Sequence, residues 1–263
     1  MRPSLPIVLS ISGHDPSGGA GIQADIEAIT ALGCRAATVV TCITVQDTVD
    51  VRRVAPLASD LVDEQLRTLM NDIKVRVIKI GLLGDAAVAD VVAAVLSDHP
   101  DIPVILDPVL AAGGGRELAA RDLIRSIQGN LLPLTRLITP NSPEARRLAD
   151  RPSLEECATN LLQGGCQAVL ITGTHEQKPE VTNLLYRVGQ EPLRSTWPRL
   201  AGSHHGSGCT LASSIAALLA VGLTLEEAVL EGQKYTWDAL SFGTAPGKGQ
   251  SLPDRFFRYR NKP

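Results

Sequence analysis

Short runs of β-branched and aliphatic residues recur along the first two thirds of the chain, at 7–12, 37–43, 77–80, 103–107, 136–139 and 168–172. Runs this short and this uniformly apolar are expected of strands buried on both faces of a sheet. Between them the apolar positions fall at helical spacing over 21–32, 59–73, 85–98, 117–128, 141–150 and 154–162, and Ser153 with Glu156 forms a capping-box signature before the last. Strand alternating with helix predicts an α/β fold: a mostly parallel sheet covered on both faces, with right-handed crossovers. Past Thr172 the rhythm changes. Segments 181–187 and 191–197 flank a glycine-containing turn and read as an antiparallel pair, and two long helices follow at 208–221 and 224–240. No internal repeat or linker divides the chain, so one domain over 1–263 is expected.

In sheets of this kind ligands sit outside the carboxyl ends of the strands, which directs attention to the segments just after each strand. Two of these are rich in glycine. After the first strand, Gly19, Gly21 and Ala24 satisfy the spacing G-x-G-x-x-A, and Asp47 lies where a ribose-binding acid would be sought. Six residues separate that strand's end from Gly19, however, and a dinucleotide fingerprint requires a tight strand-to-helix turn. The second loop, His204 to Thr210, opens a helix of small and apolar residues. There Gly206, Ser207, Gly208 and Cys209 let backbone approach a ligand, and the free amides and helix dipole favour an anion of the kind handled in phosphoryl transfer. Cys209, in the first turn, is expected to have a lowered pKa and an accessible thiolate.

Composition narrows the classes. With 44% hydrophobic and 20% charged residues and a net charge of −3, the chain has an ordinary globular balance. Its Lys and Arg are scattered, so neither nucleic acid nor an anionic membrane is an expected partner. Five cysteines, none in a CxxC pair, fit neither a disulfide framework nor a zinc site, and a reducing cytoplasm is expected. The first apolar run is too short for a signal peptide, and nowhere do about 18 apolar residues run together as a membrane span would need.

The two glycine loops, together with the stretches VILDPVL (104–110), LITPNSPEA (137–145) and GKGQSLPDRFF (247–257), resemble the hydroxymethylpyrimidine/phosphomethylpyrimidine kinases of thiamine biosynthesis, which are ribokinase-like enzymes. The resemblance covers nearly the whole chain in order. It implies a three-layer α/β/α sandwich with a central mostly parallel sheet, ATP as donor, Mg2+ as cofactor and a cytoplasmic homodimer. It places the pyrimidine near Gly13, Asp25 and Gln46, with Leu82 and Val109 as apolar walls. An amide and a carboxylate suit the ring nitrogen and exocyclic amine of an aminopyrimidine. Asp107 and Glu144 are the implied metal ligands, Glu144 with Asn141 matching an N-x-x-E motif that is also a helix capping box. Asn141, Thr172 and His205 are the implied nucleotide contacts.

In sugar-kinase relatives the residue after the second anion-hole glycine is an Asp acting as general base. Here it is Cys209, which narrows the substrate to a hydroxymethyl group on a heteroaromatic ring. Pyridoxal kinase is therefore the nearest alternative activity, and a non-catalytic pyrimidine sensor is the alternative from another class. The chain departs from the family where His14 replaces a Ser, where Thr172 replaces a Lys, and in the glycines 113–115, which predict a mobile flap.

Overall fold

The computed structural model describes residues 4–111, 118–176 and 178–260. The glycines of the predicted flap lie outside these. One nine-stranded sheet runs in the order β3-β2-β1-β4-β5-β6-β7-β8-β9. Its strands are β1 (Ile7–His14), β2 (Arg35–Gln46), β3 (Val51–Pro56), β4 (Val75–Ile80), β5 (Val104–Leu106), β6 (Leu137–Ile138), β7 (Ala168–Ile171), β8 (Glu180–Arg187) and β9 (Gln190–Pro198). From β2 through β7 neighbouring strands are parallel. β3 at one edge and the β8–β9 hairpin at the other are antiparallel.

Helices cover both faces. Against one pack α2 (Ser59–Asp72), α3 (Ala86–Ser97), α4 (Arg121–Ser126), α5 (Ser142–Ala149) and α6 (Leu154–Gln163), around Ile78, Leu106 and Ile138. Against the other pack α1 (Gly21–Ala31), α7 (Ser207–Ala220) and α8 (Leu225–Ser241), around Val8, Val77 and Ile105, and the short α9 (Phe257–Arg260) joins them. This is the expected three-layer α/β/α sandwich. Side chains anchor several helix starts: Asp85 accepts from Val88 N at 2.9 Å, and capping boxes close the starts of α5, α6 and α8. Each satisfies amides that the first turn leaves unpaired. No helix of the described residues is long and apolar enough to cross a membrane.

Three elements differ from the pattern-based reading. β2 extends to Gln46 because its second half, Cys42 to Gln46, pairs with β3. β3 hides its strand character behind Arg52 and Arg53, which stay exposed. The helix expected over 117–128 begins only at Arg121. Leu118 and Ala119 instead donate their amides to Leu110 O at 2.9 and 3.1 Å, which holds that stretch extended along the loop after β5. Beyond Ser126 the coil widens into a π-type turn, Ile127–Leu131, and tightens again into a 3-10 turn, Leu132–Leu134, that contains Pro133.

Strand order reverses around β1, whose neighbours are β2 and β4. This creates the crevice at the carboxyl ends where doubly wound sheets bind ligands.

Candidate active site

The residues that face α1 and α7 change character along the strands. Val8, Val77 and Ile105 form an apolar row deep in the sheet. Two or four positions further on, the same faces carry Ser10 and Ser12 of β1, Lys79 of β4, and Asp107 just past β5, all buried. Period-two geometry keeps these on one side of the sheet, so a polar floor forms under the carboxyl ends.

Above this floor stands the open end of α7. Gly206, at φ +73°, precedes the helix, and no side chain caps it. The amides of Ser207, Gly208 and Cys209 have no acceptor among the described residues. Gly208 is exposed, and a methyl group on it would lie 3.4 and 3.5 Å from the two Asp107 carboxylate oxygens. The structure thus brings the glycine loop and Asp107 together. Three free amides and a helix dipole facing a cleft are the means of holding a phosphate.

Cys209 requires a correction. It is 8% exposed, and burial pushes its thiol up to about 12, a rise reinforced by Asp107 and Asp25 and opposed by Lys79 and the Gly21 amide. The dipole effect does not prevail over burial, so an accessible thiolate is not the form this structure holds. Asp107, which accepts a hydrogen bond from Cys209, is raised by burial to about 6 against the pull of Lys79, and its Oδ2 has no hydrogen-bond partner. Burial, with the Asp107 charge beside it, pushes Glu144 up to about 8. The two oxygens of Glu144 accept from Leu110 N (3.3 Å) and Asn141 N (3.0 Å), while Asn141 Oδ1 accepts from Glu144 N at 2.9 Å. The N-x-x-E stretch is therefore a working capping box that also turns a carboxylate toward Asp107.

Asp25 also requires correction. It is fully buried and its acceptor positions are filled: both oxygens bond Lys79 Nζ at 2.9 Å, Oδ2 accepts from Ser10 Oγ and Oδ1 from Ser213 Oγ, each at 2.6 Å. Nothing remains for a ring. Gly13 and Leu82 do come together: a methyl on Gly13 would lie 2.6 Å from Cys42 Sγ and 3.2 Å from Leu82. Val109 is half-buried two residues past Asp107, and Gln46 is half-buried at the end of β2. Thr172 uses its backbone to bridge Asn141 and to accept from Ser142 N at 3.1 Å, and its side chain is half-buried. His205 is drawn away from its expected role as a nucleotide contact, because Nε2 bonds Asp15 Oδ2 at 2.9 Å.

The first glycine loop is closed. The Asp15 carboxylate accepts from Ser17 N (2.8 Å), Ser17 Oγ (2.8 Å) and Ala20 N (2.8 Å) as well as meeting His205. Burial raises its pKa, but these bonds outweigh burial and hold it below the usual carboxylate value. Asp47, meanwhile, organises the β2–β3 turn by accepting from Val49 N and Asp50 N, and offers nothing to a ribose.

Three residues that the sequence reading did not single out bind this architecture. Asp15 is one. Lys79 is another, and a lone Lys inside the apolar strand sequence VRVIKI was its available signal. Arg255 is the third: 2% exposed, it donates to the carbonyls of Gly18 and Gly19, to Thr210 Oγ1 (2.9 Å) and to Glu27 (3.0 Å). It lies inside the stretch 247–257 that carries the resemblance, but its role had no local signal, since its partners are distant in sequence.

Comparison with known proteins agrees with this geometry. The family model described as phosphomethylpyrimidine kinase matches residues 15–254. The hydroxymethylpyrimidine/phosphomethylpyrimidine kinase of Escherichia coli (strain K12) is 37% identical over 243 residues, covering 89% of this chain and 90% of that protein. A thiamine biosynthesis bifunctional protein of Geobacter sulfurreducens is 36% identical over 248 residues, covering 92% of this chain, which spans only 50% of that longer protein. Among solved structures, a pyridoxal kinase from Staphylococcus aureus superposes with a TM-score of 0.89 and 28% identity in both its pyridoxal and its ADP complexes, over 98% of this chain and 96% of that one. With the open end of α7 and the carboxylates beside it on one side and these matches on the other, the chain belongs to the phosphomethylpyrimidine kinase family.

Proposed function

We propose that this chain transfers the γ-phosphoryl group of ATP to the hydroxymethyl group of 4-amino-5-hydroxymethyl-2-methylpyrimidine, and then phosphorylates the monophosphate, in thiamine biosynthesis. The observation that carries this reading is the uncapped start of α7 opposite Asp107, with Cys209 in its first turn. The family supports it, and so does the ADP complex of the similar pyridoxal kinase.

In this reading Ser207, Gly208 and Cys209 donate amide hydrogens to the transferring group, where charge gathers during the reaction. Gly13, Leu82 and Val109 line the flat faces of the ring and Gln46 meets its polar edge, while Asp25 acts from below the site. Asn141 and Thr172 border the nucleotide phosphates. The attacking hydroxyl gives up a proton as its oxygen bonds phosphorus. The hydroxyl proton passes to Cys209 Sγ while the thiol proton moves to the buried Asp107 carboxylate, and the bond from phosphorus to the departing ADP oxygen breaks.

Mg2+ fits the residues present. Asp107 and Glu144 are both buried carboxylates, the charge of Asp107 raises the cost of ionising Glu144, and Asp107 Oδ2 lacks a partner. Among the described residues no group of three or more His, Cys, Asp or Glu is arranged to hold a metal. A hydrated cation held by one or two carboxylates and substrate phosphates needs no such cluster. When bound it neutralises phosphate charge. We further assign the chain to the cytoplasm, as a single kinase domain acting as a homodimer. The exposed Ile43, Val45 and Val49 beside the edge strand β3 support the last point.

Measuring ADP release with the alcohol, its monophosphate and pyridoxal in parallel tests the assignment. Turnover of both pyrimidines is expected. Preference for pyridoxal would favour the second reading, which the S. aureus likeness supports, and pyrimidine binding without ADP release would mark a sensor. Cys209→Ala is expected to lower kcat by roughly 100-fold if the thiol carries the proton. Wild-type turnover would remove that role.

A further inference from the structure

The Lys79–Asp25 pair is the only ion pair among the described residues in which both side chains are fully buried. An internal charge pair is expensive to desolvate, and apolar residues of similar volume often serve stability as well or better. Its position therefore requires an explanation beyond stability.

Asp25 is saturated by two contacts from Lys79 and one each from Ser10 and Ser213, so it ties β1, β4, α1 and α7 at one point. Ser213 lies four residues after Cys209 on α7, on the same helical face, so the knot grips the helix one turn below its open end. The ammonium end of the pair lies under the carboxyl end of β4. A methyl group on Gly81, which follows β4, would lie 2.6 Å from Nζ and would collide with Ser12 Oγ, a buried hydroxyl without a partner.

We propose that Lys79 is a positioning residue for phosphoryl transfer: held by Asp25, it fixes the start of α7 against Asp107 and supplies a permanent positive charge beneath the anion site. This rests on the kinase reading above. The charge comes already oriented, so it needs no rearrangement as negative charge develops on the transferring group, and it supplements the three α7 amides.

The test separates charge from packing. In Lys79→Met/Asp25→Leu both charges are replaced together by apolar groups, so the melting temperature is expected within a few degrees of wild type. Its kcat with ATP and the pyrimidine alcohol is expected to fall by roughly 100-fold, the scale of losing one preorganised stabilising group. KM for the pyrimidine should change by less than about threefold, since neither residue meets the ring. A folded double variant with wild-type kcat would overturn the proposal, as would a loss confined to KM. Should the double variant not fold, Ser213→Ala decides: it removes one donor to Asp25 without exposing a charge. There a several-fold loss of kcat at constant KM is expected, and unchanged kcat overturns the proposal. Wild-type protein assayed alongside guards the underlying reading, because absence of turnover there defeats the kinase assignment and not the role of Lys79.

Discussion

Two glycine-rich loops, each opening a helix on the same face of the sheet, have opposite fates. The loop before α1 uses its amides internally: Ser17 N and Ala20 N bond the Asp15 carboxylate and Gly19 N bonds Ser17 Oγ. The loop before α7 leaves its amides open. One carboxylate makes the difference. Where the sequence supplies an Asp at the mouth of the loop, the loop's own amides are taken up by its own chain, and where it does not, the amides at the loop's end await an external anion. The loops also meet. A side chain on Gly206 would strike Gly19 O, and His205 reaches back to Asp15, so the closed loop buttresses the open one.

The contact between them is the most sensitive point. Gly206→Ala places a methyl against Gly19 O at a φ of +73° and is expected to lower stability by about 3 kcal/mol or more. Turnover should fall by roughly 1000-fold as the amides lose alignment. Thermal denaturation and ADP release measured on one preparation check both, and a stable, active variant would show that the loops do not support one another. Gly208→Ala makes only ordinary contact with Asp107 at 3.4–3.5 Å and sits within a helix, so stability should hold while kcat falls by about 100-fold. Such a split would locate the chemistry in the open loop alone.

Asp15→Asn addresses the closed loop. Losing charge from a buried acceptor of several bonds is expected to cost about 2 kcal/mol in urea denaturation. Its effect on kcat for the folded fraction should be the smaller of the two.

The least effect concerns pH. Bonding holds the folded Asp15 below its ordinary value of 3.8, so the unfolded chain binds the proton more readily. The contribution is present above that value and is lost as pH falls through the folded pKa. Wild type and Asp15→Asn should therefore converge in stability on acidification below about pH 4, and an unchanged gap would mean that Asp15 is not ionised in the folded loop.

Much of this organisation was legible in the sequence because local rules govern it. Alternating strand and helix patterns gave the layers, and the segments after the strands pointed to Gly206 and Gly208, with Asp107 singled out by the family resemblance. The misreadings arose where burial decides. Asp25 and Cys209 carry chemistry that suits a substrate, yet their use depends on what covers them, and the three donors that fill Asp25 come from other segments of the chain. β3 escaped notice because exposed arginines break its apolar pattern, and the start of α4 shifted because Leu110 O captures two amides. Arg255 was invisible for the same reason, as no nearby residue announces a guanidinium destined for the core.

That guanidinium has a consequence for how the protein is made. Its contacts with Gly18 and Gly19 join residues 237 and 236 positions apart. A ribosome adding about 5–20 residues per second will have released β1, α1 and both glycine loops well before residue 255 emerges. The nascent sheet can assemble early, but both loops must wait for Arg255 to be drawn together, so competence for phosphate is acquired only after that residue has emerged.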